Sequence, residues 1–145
     1  MKDNELSKLL LEVVPPLIRL IRAEIKNAAS GTLTFPQFRV LANIHRGLNT
    51  VGEIAEHHGV SQPAMTKMVN HLVEMGYIEK TKSFADARCS ILVLTSKGKK
   101  TRQKIWDKAQ TQLSGHLGSI SKKDSKTIID SLLRLKETMG SSSIR

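Results

Sequence analysis

The chain has 145 residues, 39% of them hydrophobic and 25% charged, which are proportions typical of a soluble globular domain with a core of its own. Lysine and arginine total 23 against 13 acidic residues, and the resulting net charge of +10 favours a polyanionic partner. A single cysteine excludes an internal disulfide framework, and no apolar run approaches the roughly 20 residues that span a bilayer, so we expect a cytoplasmic protein with no membrane partner.

The N-terminal segment carries apolar residues at helical spacing over residues 3–14, and Pro15-Pro16 interrupts this pattern. Proline lacks the backbone donor that a continuing helix needs, so two interpretations remain open: one kinked helix, or two helices of which the second begins at Pro15. Apolar residues between positions 17 and 25 then occupy more than one side of a helix that runs to about Ala29. This apolar surface exceeds what one small core needs, and a partner subunit would cover it.

The middle of the chain has the signals of a helix-turn-helix. Capping boxes at residues 34–37 and 50–53 predict the starts of two helices. Gly59 favours the left-handed turn that ends the second of these, and Ser61 caps a third helix. Apolar side chains recur on one side of this third helix between residues 65 and 75, so its opposite, polar side would enter DNA.

A β-hairpin should follow the helix-turn-helix. A strand begins at Tyr77 or Ile78, and residues 91–94 form a second β-rich run, with a polar hairpin tip at residues 83–90 between them. A hairpin in this position is a wing. Basic residues outnumber acidic ones by eight to two over residues 78–104, which places the surplus of positive charge beside the predicted DNA-binding helix.

The C-terminal part of the chain predicts two more helices. A long helix begins at Thr95 or Ser96 and carries apolar residues at every fourth position. A last helix begins near residues 121–124, and residues 140–143 resemble a frayed tail. Long helices at both ends of the chain therefore flank the predicted winged centre.

These elements predict a mainly α fold with a small β-wing, in a single domain that covers residues 1–145. A winged helix-turn-helix DNA-binding region occupies residues 30–104, and helical regions occupy residues 1–29 and 105–145. The sequence has no Gly-rich phosphate loop, no paired zinc ligands and no nucleophile–base set at a known spacing, so we predict no enzyme, metal or cofactor. A winged helix that docks proteins without specific DNA readout is the alternative function.

Three stretches carry motifs of a known family: Leu33-Thr34-x-x-Gln37-Phe38-x-x-Leu41, Leu48-x-x-Val51-x-Glu53-Ile54-Ala55, and Asp86-x-Arg88 followed by Leu94-Thr95-x-x-Gly98. In this order and spacing the chain resembles the MarR family of bacterial and archaeal transcriptional regulators, over residues from about 15 to 139. The resemblance implies a homodimer whose first, fifth and sixth helices intertwine, so that the N- and C-terminal regions serve dimerisation. It also implies repression at a pseudo-palindromic operator, relieved by a small-molecule effector or an oxidant. Ala87 departs from the Gly or Arg that is common at its position, which removes one basic contact.

Residue types on the polar side of the predicted recognition helix suit DNA, because Gln and Asn pair with adenine and Lys pairs with guanine. We expect base contacts from Gln62, Thr66, Lys67 and Asn70, and backbone or groove-wall contacts from Ser61, Pro63 and His71. Three alternatives stay open: Ser61 is only a helix cap, His71 is only a surface residue, and Lys67 binds a phosphate.

The wing supplies the remaining predicted DNA contacts. Arg88 is expected in the minor groove, where Asp86 would orient it, and Lys82 is expected to bind a phosphate. The alternative for Arg88 is an exposed ion pair with Asp86. Cys89 lies beside Arg88, so a redox switch is one hypothesis for it and a bystander thiol is the other.

An effector pocket near the dimer junction would use Phe38, Leu41 and Trp106, and simple core packing is the alternative for all three. The five histidines show no compact ligand spacing, so no metal site is predicted. The predicted partners are therefore double-stranded DNA, a second copy of the chain and a small-molecule effector.

Overall fold

The structure, a computed structural model, describes residues 2–82 and 90–141 of the chain. Its elements in chain order are the helices α1 (Lys2–Ala29), α2 (Phe35–His45), α3 (Val51–His58) and α4 (Gln62–Glu74), the strands β1 (Ile78–Lys82) and β2 (Ser90–Leu94), and the helices α5 (Ser96–His116) and α6 (Lys122–Ser141). The predicted mainly α fold with a small two-stranded wing is confirmed. Residues 83–89, which make up most of the predicted hairpin tip, lie outside the described residues.

Helix α1 is one continuous helix that contains both Pro15 and Pro16. Of the two interpretations of this segment, the one in which a second helix begins at Pro15 is therefore wrong. Each proline leaves the carbonyl group four residues earlier, at Leu11 or Glu12, without a backbone donor. The side chains of all four residues are exposed, so water can bind these carbonyl groups and the helix continues.

Side-chain caps begin the helices of the helix-turn-helix, as the sequence predicts. At α2, Thr34 Oγ1 accepts from the Gln37 backbone N–H at 3.3 Å and Gln37 Oε1 accepts from the Thr34 N–H at 2.9 Å. At α3, Thr50 Oγ1 accepts from the backbone N–H of Glu53 at 3.2 Å. Gly59 ends α3 in the left-handed conformation with φ of 68°, so the chain turns at once toward α4.

The hydrophobic core lies within a compact unit that covers Met1–Gln110. Helices α2, α3 and α4 and the hairpin supply its largest fully buried side chains, which are Phe38, Val40, Leu41, Ile54, Met65, Val69, Leu72, Ile78 and Leu92. Burying one such aliphatic or aromatic side chain contributes about 1.5–3 kcal/mol to folding. The winged helix-turn-helix therefore supplies most of this core, which also includes Ala28 and Ala29 of α1 and Ile105 and Ala109 of α5.

Strand β2 forms backbone hydrogen bonds along both of its edges. Strands β1 and β2 are antiparallel, with Ile78 opposite Leu94 and Lys80 opposite Leu92. Because opposed residues and every second residue share one face of a sheet, Lys80 lies on the same face as these three apolar residues, which are buried. On its other edge, β2 contacts the loop between α2 and α3, where the Leu92 N–H donates to the Asn49 carbonyl at 2.7 Å.

A second compact unit, Thr111–Arg145, holds the end of α5 and all of α6. Helix α6 contains Gly140 and ends at Ser141, so the first two residues of the predicted tail are helical, and the other two lie outside the described residues. Within residues 2–82 and 90–141, the structure has no helix that is long and apolar enough to cross a membrane.

A polar contact joins α2 to the end of α3. The Asn43 side chain, which is 4% exposed, donates from Nδ2 to His58 Nε2 at 2.9 Å. The ring nitrogen can accept this bond only when it carries no proton. Burial, with the positive charges of Arg39 and His57, lowers the pKa of His58 from its ordinary value of 6.5 to about 4, which keeps the ring neutral at pH 7.

We predict that acid destabilises the protein through His58. Because the pKa of His58 is about 4 in the folded chain and 6.5 in the unfolded chain, the unfolded chain binds more protons between these values. The free energy of unfolding should therefore fall as the pH is lowered from 6.5 to 4. His58→Gln offers an amide oxygen that accepts the Asn43 bond without titrating, and should flatten this dependence in thermal melts across that pH range. An equal slope in both proteins would contradict the prediction.

Candidate nucleic-acid interface

Helix α4 has one apolar side and one polar side. Ser61 Oγ accepts from a backbone N–H three residues later at 3.2 Å and begins the helix, and Pro63 lies in the first turn, where no donor is needed. On the apolar side, Met65, Val69 and Leu72 are fully buried. Because these three side chains follow helical spacing, their burial determines the rotation of α4 about its own axis.

The polar side of α4 brings together the residues predicted to contact DNA on this helix. Ser61, Gln62, Pro63, Lys67, Asn70 and His71 are exposed there, and Thr66 is half-buried beside them. Most of this side lines an open groove of about 770 Å³, to which α2 contributes Gln37. The sequence predicts Gln37 only as a capping residue, because no local pattern shows that the start of α2 lies next to α4.

The side chain of Gln62 packs against α3. A Cβ added to Gly52 would lie 3.0 Å from Gln62 Nε2, so the amide occupies the space that this glycine leaves free. This packing joins the first turn of α4 to the first turn of α3.

Lys80, which was not among the residues predicted to contact DNA, extends from the wing to α4. Lys80 Nζ on β1 donates a hydrogen bond to Asn70 Oδ1. In the sequence analysis Lys80 is only one of the basic residues between positions 78 and 104. Strand alternation was the signal that could have found it, because this alternation places Lys80 on the same face as the buried Ile78. Lys82 is exposed at the end of β1, and its phosphate contact stays a prediction. Asp86, Arg88 and Cys89 lie outside the described residues, so their roles stay predictions as well.

The start of α5 holds the end of α4. Thr95 Oγ1 donates to the Gly76 carbonyl at 2.6 Å, and Lys97 Nζ donates to the Met75 carbonyl at 2.7 Å. Lys97 Nζ also lies 4.5 Å from the centroid of the Tyr77 ring. A cation at this position satisfies a carbonyl at the helix end and complements the negative end of the α4 dipole.

The three residues predicted to form an effector pocket differ in burial. Phe38 and Leu41 are buried in the core, and Trp106 on α5 is 41% exposed. A further groove of about 310 Å³, between the loop after α2 and strand β2, is lined by none of the three. Within the part of the chain that the structure describes, no group of three or more His, Cys, Asp or Glu residues is placed to hold a metal ion.

A helix-turn-helix followed by a two-stranded hairpin, with a polar side exposed on its second helix, defines a winged helix-turn-helix protein. Solved structures share this fold. The transcriptional regulator Tm0710 from Thermotoga maritima is similar with a TM-score of 0.75 and 24% identity, covering 95% of this chain and 99% of that protein. The apo form of wild-type MarR from E. coli has a TM-score of 0.70 and 22% identity, covering 86% of this chain and 94% of that one.

Sequence comparisons find similarity to one family. Residues 32–88 match the family model described as MarR family. The relative "Uncharacterized HTH-type transcriptional regulator YfiV" from Bacillus subtilis (strain 168) is 25% identical over 108 residues, which are 74% of this chain and 68% of that protein. The matched residues lie in the helix-turn-helix and the hairpin, so this part of the chain is similar to that of MarR-family transcriptional regulators.

We predict that Gly98→Ala destabilises the junction that holds α4. A Cβ at this position would lie 2.2 Å from the Tyr77 carbonyl oxygen, and a backbone atom cannot move aside as a flexible side chain does. The expected loss in free energy of unfolding is about 1–3 kcal/mol, the usual cost of overpacking, measured by urea denaturation. Gly115→Ala on the same helix is the matched control, because its added Cβ meets nothing within 4 Å. Equal effects of the two substitutions would show that the close approach at Gly98 is not a constraint.

Proposed function

We propose that this protein is a homodimeric repressor that binds a pseudo-palindromic operator and is released by a small-molecule effector. The observation that carries the DNA contact is the exposed polar side of α4, which the buried apolar side holds in one orientation. The major groove of B-DNA admits a helix of this kind. Repression and release by an effector are carried over from the family resemblance.

In this proposal the exposed side chains of α4 divide into two groups. Gln62, Thr66, Lys67 and Asn70 contact base edges, and Ser61, Pro63 and His71 contact the backbone or the groove wall. Lys82 binds a phosphate, and Arg88, oriented by Asp86, enters the minor groove. The net charge of +10 supports these phosphate contacts, because every neutralised phosphate releases counterions.

Exposed apolar side chains in the N- and C-terminal regions support a homodimer. On α1 they include Leu6, Leu9, Val13 and Leu17, and on α6 they include Ile128, Leu132 and Met139. Within each helix these residues follow helical spacing, and a stripe of this kind is covered when a second helix packs on it. We therefore assign dimerisation to residues 1–29 and 105–145, and DNA binding to residues 30–104.

The effector is expected beside α5. Of the three residues proposed for its pocket, Trp106 is exposed enough to meet a ligand directly, whereas Phe38 and Leu41 are buried in the core. A repressor of this family acts where its operator lies, so we place the protein in the cytoplasm. Whether Cys89 adds an oxidant response is a separate hypothesis that a Cys89→Ser variant addresses.

We predict that the stripe on α6 holds the dimer together. Leu132→Glu places a charge on this stripe and should convert a dimer into a monomer in analytical ultracentrifugation, because an unpaired buried carboxylate is costly. Arg134→Glu introduces the same side chain at an exposed position on the opposite side of α6 and should leave the dimer intact. Far-UV circular dichroism checks that both variants stay helical. A dimer that survives Leu132→Glu would show that this stripe is not the interface.

The DNA-binding function is tested by selecting duplexes from a random library and titrating an enriched and an unselected duplex at several salt concentrations. We expect the enriched duplex to bind more tightly, at two chains per duplex, with an affinity that falls steeply as salt rises. Asn70→Ala should weaken binding to the enriched duplex by about fivefold or more, because a base contact is lost, and weaken binding to the unselected duplex less. Equal losses on both duplexes would show that Asn70 only positions the helix. Equal wild-type affinities for both would favour a protein-docking winged helix instead.

A further inference from the structure

We propose that Lys80 sets the base preference of Asn70, so that α4 selects guanine at a position where a free asparagine would select adenine. The basis is the side-chain hydrogen bond in which Lys80 Nζ on β1 donates to Asn70 Oδ1 on α4. This inference rests on the proposed DNA-binding function and adds a specificity-determining residue from the wing that acts through the recognition helix. Lys80 is thus a positioning residue, and Asn70 makes the base contact.

The chemistry of the pair determines which way the amide faces. An ammonium group has donors only, so the amide atom that faces Lys80 is the oxygen, and the two N–H groups of Asn70 point away from it. The bidentate contact with adenine needs the amide oxygen to accept from adenine N6 while Nδ2 donates to N7. The oxygen keeps a second lone pair, but the ammonium of Lys80 beside it withdraws electron density and repels the partly positive adenine N6–H group, which weakens this contact.

Guanine suits the amide in this state better than adenine does. Guanine presents two acceptors in the major groove, N7 and O6, whereas adenine presents one acceptor and one donor. The Nδ2 group of Asn70 therefore finds an acceptor in either orientation on guanine, and the ammonium of Lys80 adds attraction toward the same two atoms. Cytosine, which offers only its N4 donor, should be the poorest partner.

The fold explains why Lys80, rather than a neighbouring lysine, reaches Asn70. Lys80 lies on the inner face of the hairpin, opposite the buried Leu92, and β1 packs against α4. Its aliphatic stem can therefore follow the apolar face while the ammonium emerges at the helix. Lys82 has the same charge on the same strand and face, but it lies two residues farther along, about 6–7 Å away. Lys82 is thus a matched control for the loss of charge.

The experiment measures binding of the full-length protein to duplexes in which each base pair of the selected site is varied in turn. The variants are Lys80→Met, Lys80→Arg, Lys82→Met, Asn70→Ala and the double variant Asn70→Ala with Lys80→Met. The position contacted by Asn70 is the one at which Asn70→Ala removes discrimination. Circular dichroism and ultracentrifugation confirm that every variant has the secondary structure and assembly of the wild type.

At that position we expect the wild type to prefer guanine, and Lys80→Met to lower the guanine-to-adenine ratio of affinities by about fivefold or more. Lys80→Arg retains a donor for the amide oxygen and should retain the preference. Lys82→Met should weaken all duplexes alike and reduce the slope of log affinity against log salt by about 0.9. In the Asn70→Ala background, Lys80→Met should no longer change the preference at that position.

Two results would overturn the inference alone: a wild type that prefers adenine at the Asn70 position, or Lys80→Met weakening all duplexes alike, as expected of a phosphate contact. A wild type that shows no sequence preference at any position would instead overturn the proposed DNA-reading function, and this inference with it.

Discussion

Burial of Met65, Val69 and Leu72 is the constraint on which all the proposed contacts of α4 depend. An α-helix has 3.6 residues per turn. If α4 were rotated about its axis by one residue, the apolar Val69 would take the place of Asn70 on the side proposed to face DNA. Removing a side chain of this kind from a close-packed core costs about 2–5 kcal/mol. The core therefore determines which side chains the helix exposes, although the core residues themselves are buried.

Two parts of the chain that follow α4 in the sequence contact this helix or its C-terminal end. Beyond its C-terminal end, Lys97 in the first turn of α5 donates to the Met75 carbonyl group, and Thr95, just before α5, donates to that of Gly76. On the exposed side of α4, Asn70 accepts a hydrogen bond from Lys80 of β1. Hydrogen bonds thus join the wing and the start of the long helix to α4, so a displacement of either element would change the exposed surface of α4.

The positive charge that favours DNA also acts inside the protein. Burial, with the nearby Arg22, lowers the pKa of Arg39, and Arg39 in turn helps to lower the pKa of His58. The guanidinium groups of Arg22 and Arg39 lie 5.5 Å and 6.0 Å from the centroid of the Phe35 ring, whose electron-rich face partly compensates their proximity. His58 stays neutral in this environment, which allows it to accept the Asn43 bond that joins α2 to α3.

The sequence by itself determined where α2, α3 and α4 begin, which side of α4 is apolar and that a hairpin follows it, because caps and stripes depend on residues three or four positions apart. Only the tertiary structure decided the contacts between elements. Pro15 lies within one helix because the carbonyl group it leaves unpaired is on an exposed side, and solvent exposure is not a property of local sequence. Gln37 and Lys80 join the α4 surface because α2 and β1 pack beside that helix. Such neighbours are brought together by the core, and no spacing along the chain encodes them.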